Sequence, residues 1–205
     1  MIITIGTSKG GVGKSTIACN LAVAAALDNK SVLLVDADVQ RSSVDFRATR
    51  ETDDIKATSI TTATLHKDLV DFHFDLTLID CGGRDSAVFR SAILAADKLI
   101  IPILPSVFDI WAAQDTIKIF NESVLYNEKL TAHFVLNTVM PRTIMTRELI
   151  DEIDAQNIPV LKSKLGLRVD FKNSLLQGKG VMETAPRSKA AAELKSLYHE
   201  IVKEN

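Results

Sequence analysis

The sequence predicts an α/β fold, a mostly parallel twisted sheet with helices on both faces, and three observations predict it. Short β-branched runs alternate with helical patterns, a glycine-rich loop joins the first run to the first helix, and acidic residues stand just past the ends of later runs. Right-handed crossovers between such runs cover both sheet faces and gather the strand C-termini along one edge. Chemistry is expected at that edge.

Ile2 to Ile5 reads as a short buried strand, followed by "SKGGVGKST", Ser8 to Thr16, and by a helix from Ile17 to Leu27. Strand, glycine loop and helix in that order suit phosphate binding. Backbone N–H groups around Gly10, Gly11 and Gly13 can curl around a β-phosphate, with the helix dipole aimed at the same anion. Lys14 would bridge β- and γ-oxygens, and Ser15 would ligate Mg²⁺. The strict G-x-x-x-x-G-K-[ST] pattern nevertheless fails, because Ser8 stands where its first glycine belongs, and a second lysine, Lys9, precedes the glycines. A glycine turn serving only as a tight connection would not call for Lys-Ser at the helix start.

The second strand, Ser31 to Val35, runs into "VDADVQ", which sets Asp36 and Asp38 where the chain leaves the sheet. After Leu76 to Ile79 comes Asp80, then Cys81-Gly82-Gly83, a Walker B-like strand end with a glycine hinge. One aspartate at a strand end is ordinarily a helix cap or a solvated turn; three beside a phosphate loop point to a site. Lys98 to Ile103 and Ala132 to Val139 are further strands, separated by helical segments Asp85 to Ala96 and Ile110 to Asn127. Glu51 to Thr64 is weakly patterned and reads as a surface excursion, and Phe72-His73-Phe74 as the end of a helix. Ser188 to Val202 reads as a helix packing Leu194, Leu197, Tyr198, Ile201 and Val202 on the core.

At 205 residues the chain suits one domain, 1–205. A net charge of -2 with 24% charged residues supplies no global field for nucleic acid or an anionic membrane, so any such binding needs a local patch. Cys19 and Cys81 form no disulfide framework and read as apolar filler in a reducing cytosol. Ile17 to Leu27 is too short to span a bilayer, and a cytoplasmic, unprocessed protein is expected. His66, His73, His133 and His199 show no metal-ligand spacing.

These motifs together resemble the ParA/MinD family of deviant Walker A ATPases, within the P-loop NTPase fold, and most of all the small ParA-type partition proteins. The resemblance runs nearly the whole length: "KGGVGKST", "DADVQ" and "LTLIDCGG" match the deviant loop, the D-x-D-P-Q segment and the Walker B strand, and "ADKLIIPILPS", "VLNTVMPRT" and "LLQGKGVMETAPRSKAAAEL" follow in order. It implies a Mg²⁺-dependent ATP hydrolase with weak basal activity, whose ATP lies between two copies of the chain. Lys9 would reach across that dimer to the partner's phosphates, acting on developing charge as an arginine finger does. Lys9, Gly10, Gly11, Val12, Gly13, Lys14, Ser15 and Thr16 would bind ATP or ADP, and Asp38 would orient the attacking water. Ser15 would hold Mg²⁺ directly, with Asp36 and Asp80 in the outer shell. Asn137 would meet the adenine edge, with Arg142 and the Leu165-Gly166-Leu167 turn flanking the base.

Two departures touch the switches: Val39 replaces the usual proline, and Cys81-Gly82-Gly83 a more common Thr/Ser-Pro-containing segment. The loop begins within ten residues of Met1, so no N-terminal helix-turn-helix extension is expected. Nucleoid-associated partition of a plasmid or chromosome is the leading expectation, with a ParB-type or other small adaptor stimulating hydrolysis, and positioning of a protein cargo over the nucleoid is the alternative. A MinD-like membrane regulator would carry a basic amphipathic helix beyond the core, whereas the last helix here is mixed in charge. A nitrogenase-reductase-like carrier would need two cluster-bridging cysteines, which Cys19 and Cys81 do not supply. Non-specific duplex DNA would meet Arg168, Lys172, Lys179, Arg187 and Lys189, against the alternative of a solvated charged face. Phe108 and Trp111 read equally as dimer surface or as core.

Overall fold

A computed structural model describes residues 1–83, 85–140 and 147–203. Seven strands form one wholly parallel sheet in the order β3-β2-β4-β1-β5-β6-β7: β1 (Ile2–Ile5), β2 (Val32–Ala37), β3 (Ile55–Ser59), β4 (Leu76–Cys81), β5 (Lys98–Ile103), β6 (Thr131–Val139) and β7 (Val160–Gly166). Both faces are covered, so neighbouring residues of one strand enter different cores. Leu34, Leu76, Leu78 and Ile100 belong to one apolar cluster, while Leu33, Val35, Ile79 and Leu99 belong to the other. Double coverage is why these strands read as continuous apolar runs.

The first cluster is built on α1 (Lys14–Leu27), which is buried on nearly every side. A glycine lets another segment come close to it: a Cβ on Gly180 would lie 2.7 Å from Val23. Buried Asn20 accepts from Val181 N–H at 2.8 Å and donates to Thr16 O at 2.9 Å, pinning the C-terminal third to this helix. On that side lie α2 (Ser42–Thr49), α8 (Val169–Leu175), α9 (Val181–Thr184) and α10 (Lys189–Tyr198). The opposite face carries α3 (Leu65–Asp68), α4 (Ala87–Ala95), α5 (Val107–Ala112), α6 (Gln114–Val124) and α7 (Arg147–Asp154).

Several expectations need correction. Residues 51–64 contain β3, an edge strand paired in register with β2 from Val32↔Ile55 to Asp36↔Ser59. Only Ile55 of β3 is fully buried, so its pattern is weak. β7 extends the sheet at the other edge through register irregularities, and the Leu165-Gly166 pair closes that strand rather than forming a separate turn. Ile110 to Asn127 is two helices meeting at Ala113, and the last helix ends in a π-turn, His199–Lys203. Phe108 and Trp111 are not core: they are 74% and 49% exposed and meet edge to face at 5.6 Å.

Arg50 closes the fold behind α2. It is buried and makes a two-pronged bond to Asp54 at 2.7 Å, another to Glu183 at 2.9 Å, and one to Gly178 O at 3.0 Å. Arg50→Ala leaves those acceptors unpaired and should cost about 2–3 kcal/mol in urea denaturation, in the range for broken partly buried pairs. Hydrogen bonding to Arg50 holds Asp54 down at about 2. Its contribution is therefore complete above about pH 4 and should fade as pH falls toward 2.

Candidate nucleotide site

β1 ends at Ile5, level with Asp80 of β4, and Asp36 of β2 pairs with the same Asp80. The glycine loop thus leaves the sheet at the level of both buried carboxylates. Gly11 and Gly13 take φ of 75° and 90°, left-handed values that favour glycine. At Gly13 there is a second reason, since an added Cβ would overlap Asn137 Nδ2. Asn137 holds the loop by donating to Val12 O at 2.7 Å, and its Oδ1 accepts from Thr138 N–H at 2.8 Å.

Ser8 explains how the loop departs from the strict pattern. Its N–H donates to Thr116 Oγ1 at 2.9 Å and its hydroxyl to Ala112 O at 3.0 Å, where α5 gives way to α6. A glycine there could not make the second bond. This anchor places Lys9 beside α5, where its ammonium lies 2.8 Å from Asp109 Oδ2. Asp109 is 5% exposed and its Oδ1 has no partner. Lys14 turns inward, donating to Lys9 O at 2.8 Å. Burial lowers its pKa against the opposing pull of Asp80 and Asp38.

The three strand-end aspartates divide their work. Asp36 Oδ2 accepts from Ser43 N–H at 2.8 Å and Val44 N–H at 3.1 Å, and its Oδ1 from Asp38 N–H at 3.0 Å. It therefore caps α2, whose N-cap residue Arg41 contributes no side-chain bond. Asp38 lines the cleft and accepts from Gln40 N–H at 3.0 Å. Asp80 Oδ2 accepts from Ser43 Oγ at 2.6 Å, while its buried Oδ1 has no partner. Burial raises the Asp80 pKa to about 6, against the Ser43 hydrogen bond and the nearby Ser15 hydroxyl. The glycine hinge lies across the loop: a Cβ on Gly83 would sit 3.1 Å from Gly10 N and 3.2 Å from Lys14 Nζ, and one on Gly82 would sit 3.4 Å from the Asp38 carboxylate.

These parts border a cleft of about 560 Å³. Gly10, Gly11, Gly13, Lys14, Ser15, Thr16, Asp38, Gln40 and Gly83 line its phosphate end; Asn137, Thr138, Gly166, Leu167, Arg168, Phe171 and Lys172 line the rest. The size suits a nucleotide. For Mg²⁺, the Ser15 hydroxyl of the cleft and the orphaned Asp80 Oδ1 behind it are hard oxygen atoms of the kind such an ion and its waters take. Arg142 lies outside the described residues. Arg168 and Lys172 stand in this cleft, whereas Lys179, Arg187 and Lys189 are exposed beyond it.

Sequence reasoning missed Asp109, Ser43 and Glu193. Glu193 of α10 accepts from Gly166 N–H at 2.9 Å and Arg168 Nη2 at 2.7 Å, fixing the cleft's far wall. Each acts through a residue from a distant segment, and no local spacing marks such a partner.

Residues 3–181 match the family described as the CobQ/CobB/MinD/ParA nucleotide binding domain. Among curated proteins, the maintenance of carboxysome distribution protein A of Halothiobacillus neapolitanus is 30% identical over 208 residues, covering 98% of this chain and 95% of that protein. Protein ParA of Rhizobium radiobacter is 27% identical over 151 residues, covering 72% of this chain and 68% of that protein. In structure, an McdA variant from Cyanothece in complex with ATP superposes with a TM-score of 0.77 at 16% identity, covering 100% of this chain and 96% of that one, which shows the shared P-loop fold.

The Asp80 carboxyl gives a prediction for the ligand-free protein. A folded pKa of about 6 lies above the ordinary 3.8, so the protonated form favours folding and stability falls as pH rises through that interval. Against Asp80→Asn, which cannot ionise, the wild type should lose about 2 kcal/mol between pH 4 and 6.5 in urea denaturation. A pH-independent difference would contradict the assignment.

Proposed function

This chain belongs to the CobQ/CobB/MinD/ParA nucleotide-binding family, and on that premise we propose that it is a Mg²⁺-dependent ATPase that positions a cargo over DNA through an ATP-bound dimer. One observation carries the reading: the two loop lysines have separate stations. Lys14 lies inside the loop against its backbone, whereas Lys9 stands at the rim on Asp109 with about a third of its side chain exposed. One cation serves the chain's own nucleotide and the other is available to a partner's.

In this reading the loop N–H groups and Lys14 hold the β- and γ-phosphates, and Asn137 meets the base beside the wall built on Gly166, Leu167 and Phe171. Asp38 orients water against the γ-phosphate, next to Gly82 and Gly83, which respond to its presence or loss. Bound Mg²⁺, held directly by Ser15 and through water by Asp80 and Asp36, would neutralise charge on the phosphate oxygens. Lys9 leaves Asp109 for the partner's phosphates and stabilises charge developing there. Its departure strands a nearly buried carboxylate, so contacts made only in the ATP dimer must offset that cost.

A relative 30% identical over nearly the whole chain is named for carboxysome distribution, which favours a protein-built cargo. DNA partition is the second reading, favoured by the likeness to ParA of Rhizobium radiobacter. Both need a small adaptor, ParB-like in the second case, that stimulates hydrolysis, and both need a nucleoid-associated ATP state in the cytoplasm. Exposed Lys172, Lys179, Arg187 and Lys189 are the candidate DNA contacts; Arg168 is tied to Glu193 and contributes less. Two weak patches joined by ATP in one dimer raise each other's effective concentration, which a chain of net charge -2 needs.

Binding to unrelated duplexes should therefore require ATP, ignore sequence and weaken steeply with salt. Lys9→Ala should still bind ATP through Lys14, yet lose most dimer formation, hydrolysis and DNA binding. Interferometry with ATP, ADP and no nucleotide checks this. Equal DNA binding in all three states, or wild-type turnover by Lys9→Ala, would overturn the proposal.

A further inference from the structure

Ser43 joins the two strand-end carboxylates, and neither the family's motifs nor the sequence pattern marks it. It is fully buried in the first turn of α2, and its two polar groups point to different strands. The backbone N–H donates to Asp36 of β2 at 2.8 Å, and the hydroxyl donates to Asp80 of β4 at 2.6 Å. Cys19 Sγ of α1 lies 3.5 Å from the same hydroxyl oxygen. Because the single hydroxyl proton goes to Asp80, the thiol is the donor to Ser43. Three elements therefore meet on one oxygen atom.

A carboxylate free to rotate offers either oxygen to a neighbour, whereas one held by a short bond offers a single oxygen in a single direction. Asp80 is held in this way, with Oδ2 on Ser43 and the buried Oδ1 left without a partner. We propose that Ser43 is a positioning residue that pins Asp80 so that Oδ1 is presented to the hydration shell of the nucleotide-bound divalent cation. This rests on the ATPase reading and names a further residue of the same site. The hydroxyl works as the partners of metal-site carboxylates generally do, by removing a rotation that would have to be frozen on binding. Because α2 follows directly on Asp38 to Arg41, it also ties the orientation of Asp80 to the segment bearing Asp38.

Ser43→Ala separates the two contacts, since it removes the hydroxyl and keeps the backbone N–H that α2 donates to Asp36. The test uses Mn²⁺ as the probe: its paramagnetic resonance signal reports free ion in titrations of the purified full chain with ADP, and fluorescent-ATP binding in EDTA reports nucleotide affinity without metal. Ser43→Ala should bind Mn²⁺ about tenfold more weakly with unchanged nucleotide affinity in EDTA, and Ser43→Thr, which restores a hydroxyl, should recover most of the loss. Mn²⁺ affinity of Ser43→Ala within twofold of wild type would overturn the assignment. So would an equal loss in Ser43→Thr, or a matching fall in metal-free nucleotide binding, which marks a general disturbance. If the wild type itself binds no nucleotide, the ATPase reading fails and this assignment with it; if only the variants behave alike, Ser43 alone is excluded.

Discussion

Asp36 and Asp80 sit at the same level of adjacent parallel strands, both fully buried, and two carboxylates so placed must be given donors or lose a charge. The structure answers differently for each. Asp36 receives three backbone N–H groups and in return caps α2. Asp80 receives one hydroxyl and keeps an oxygen unpartnered, and burial pushes its pKa up. An apolar residue at either place would be easier to bury. Keeping both carboxylates suits the proposed entry of a cation beside Ser15, for which the unpartnered Asp80 oxygen is available.

That constraint reaches outward through the loop. Lys14 is drawn inward by the pull of Asp80 and Asp38, although burial disfavours its charge, and it lies on the Lys9 carbonyl where a phosphate oxygen could replace that contact. Lys9 is directed away by the Ser8 anchor and finds Asp109. The second lysine thus depends on a serine where the strict pattern has glycine. The two departures from the ordinary loop are one device.

What could be read from the chain follows the range of the forces involved. β1, β2, β4 and β5 are buried on both faces, so their runs are dominated by apolar residues, with buried Thr4 and Thr77 as interruptions, and the loop's glycines and lysines lie together in sequence. β3 and β7 are edge strands with mixed exposure, and their residues carry little pattern. Ser43, Asp109 and Glu193 act across 37, 100 and 27 residues of separation from Asp80, Lys9 and Gly166, counted from the residue numbers. Periodicity has no access to such contacts. Asp36 is instructive in a different way, since its hydrogen bonds show the helix-cap role expected of a lone strand-end aspartate, while its role beside Mg²⁺ belongs to the proposal.

In the proposed cycle ATP joins two copies of this chain and hydrolysis separates them. Asp38→Ala, which removes the carboxylate proposed to orient the attacking water while leaving both loop lysines in place, isolates the joined state. Size-exclusion chromatography with light scattering should give twice the 22.4 kDa chain mass with ATP and Mg²⁺ and a single chain mass with ADP. A single chain mass in both, with ATP demonstrably bound, would contradict the account.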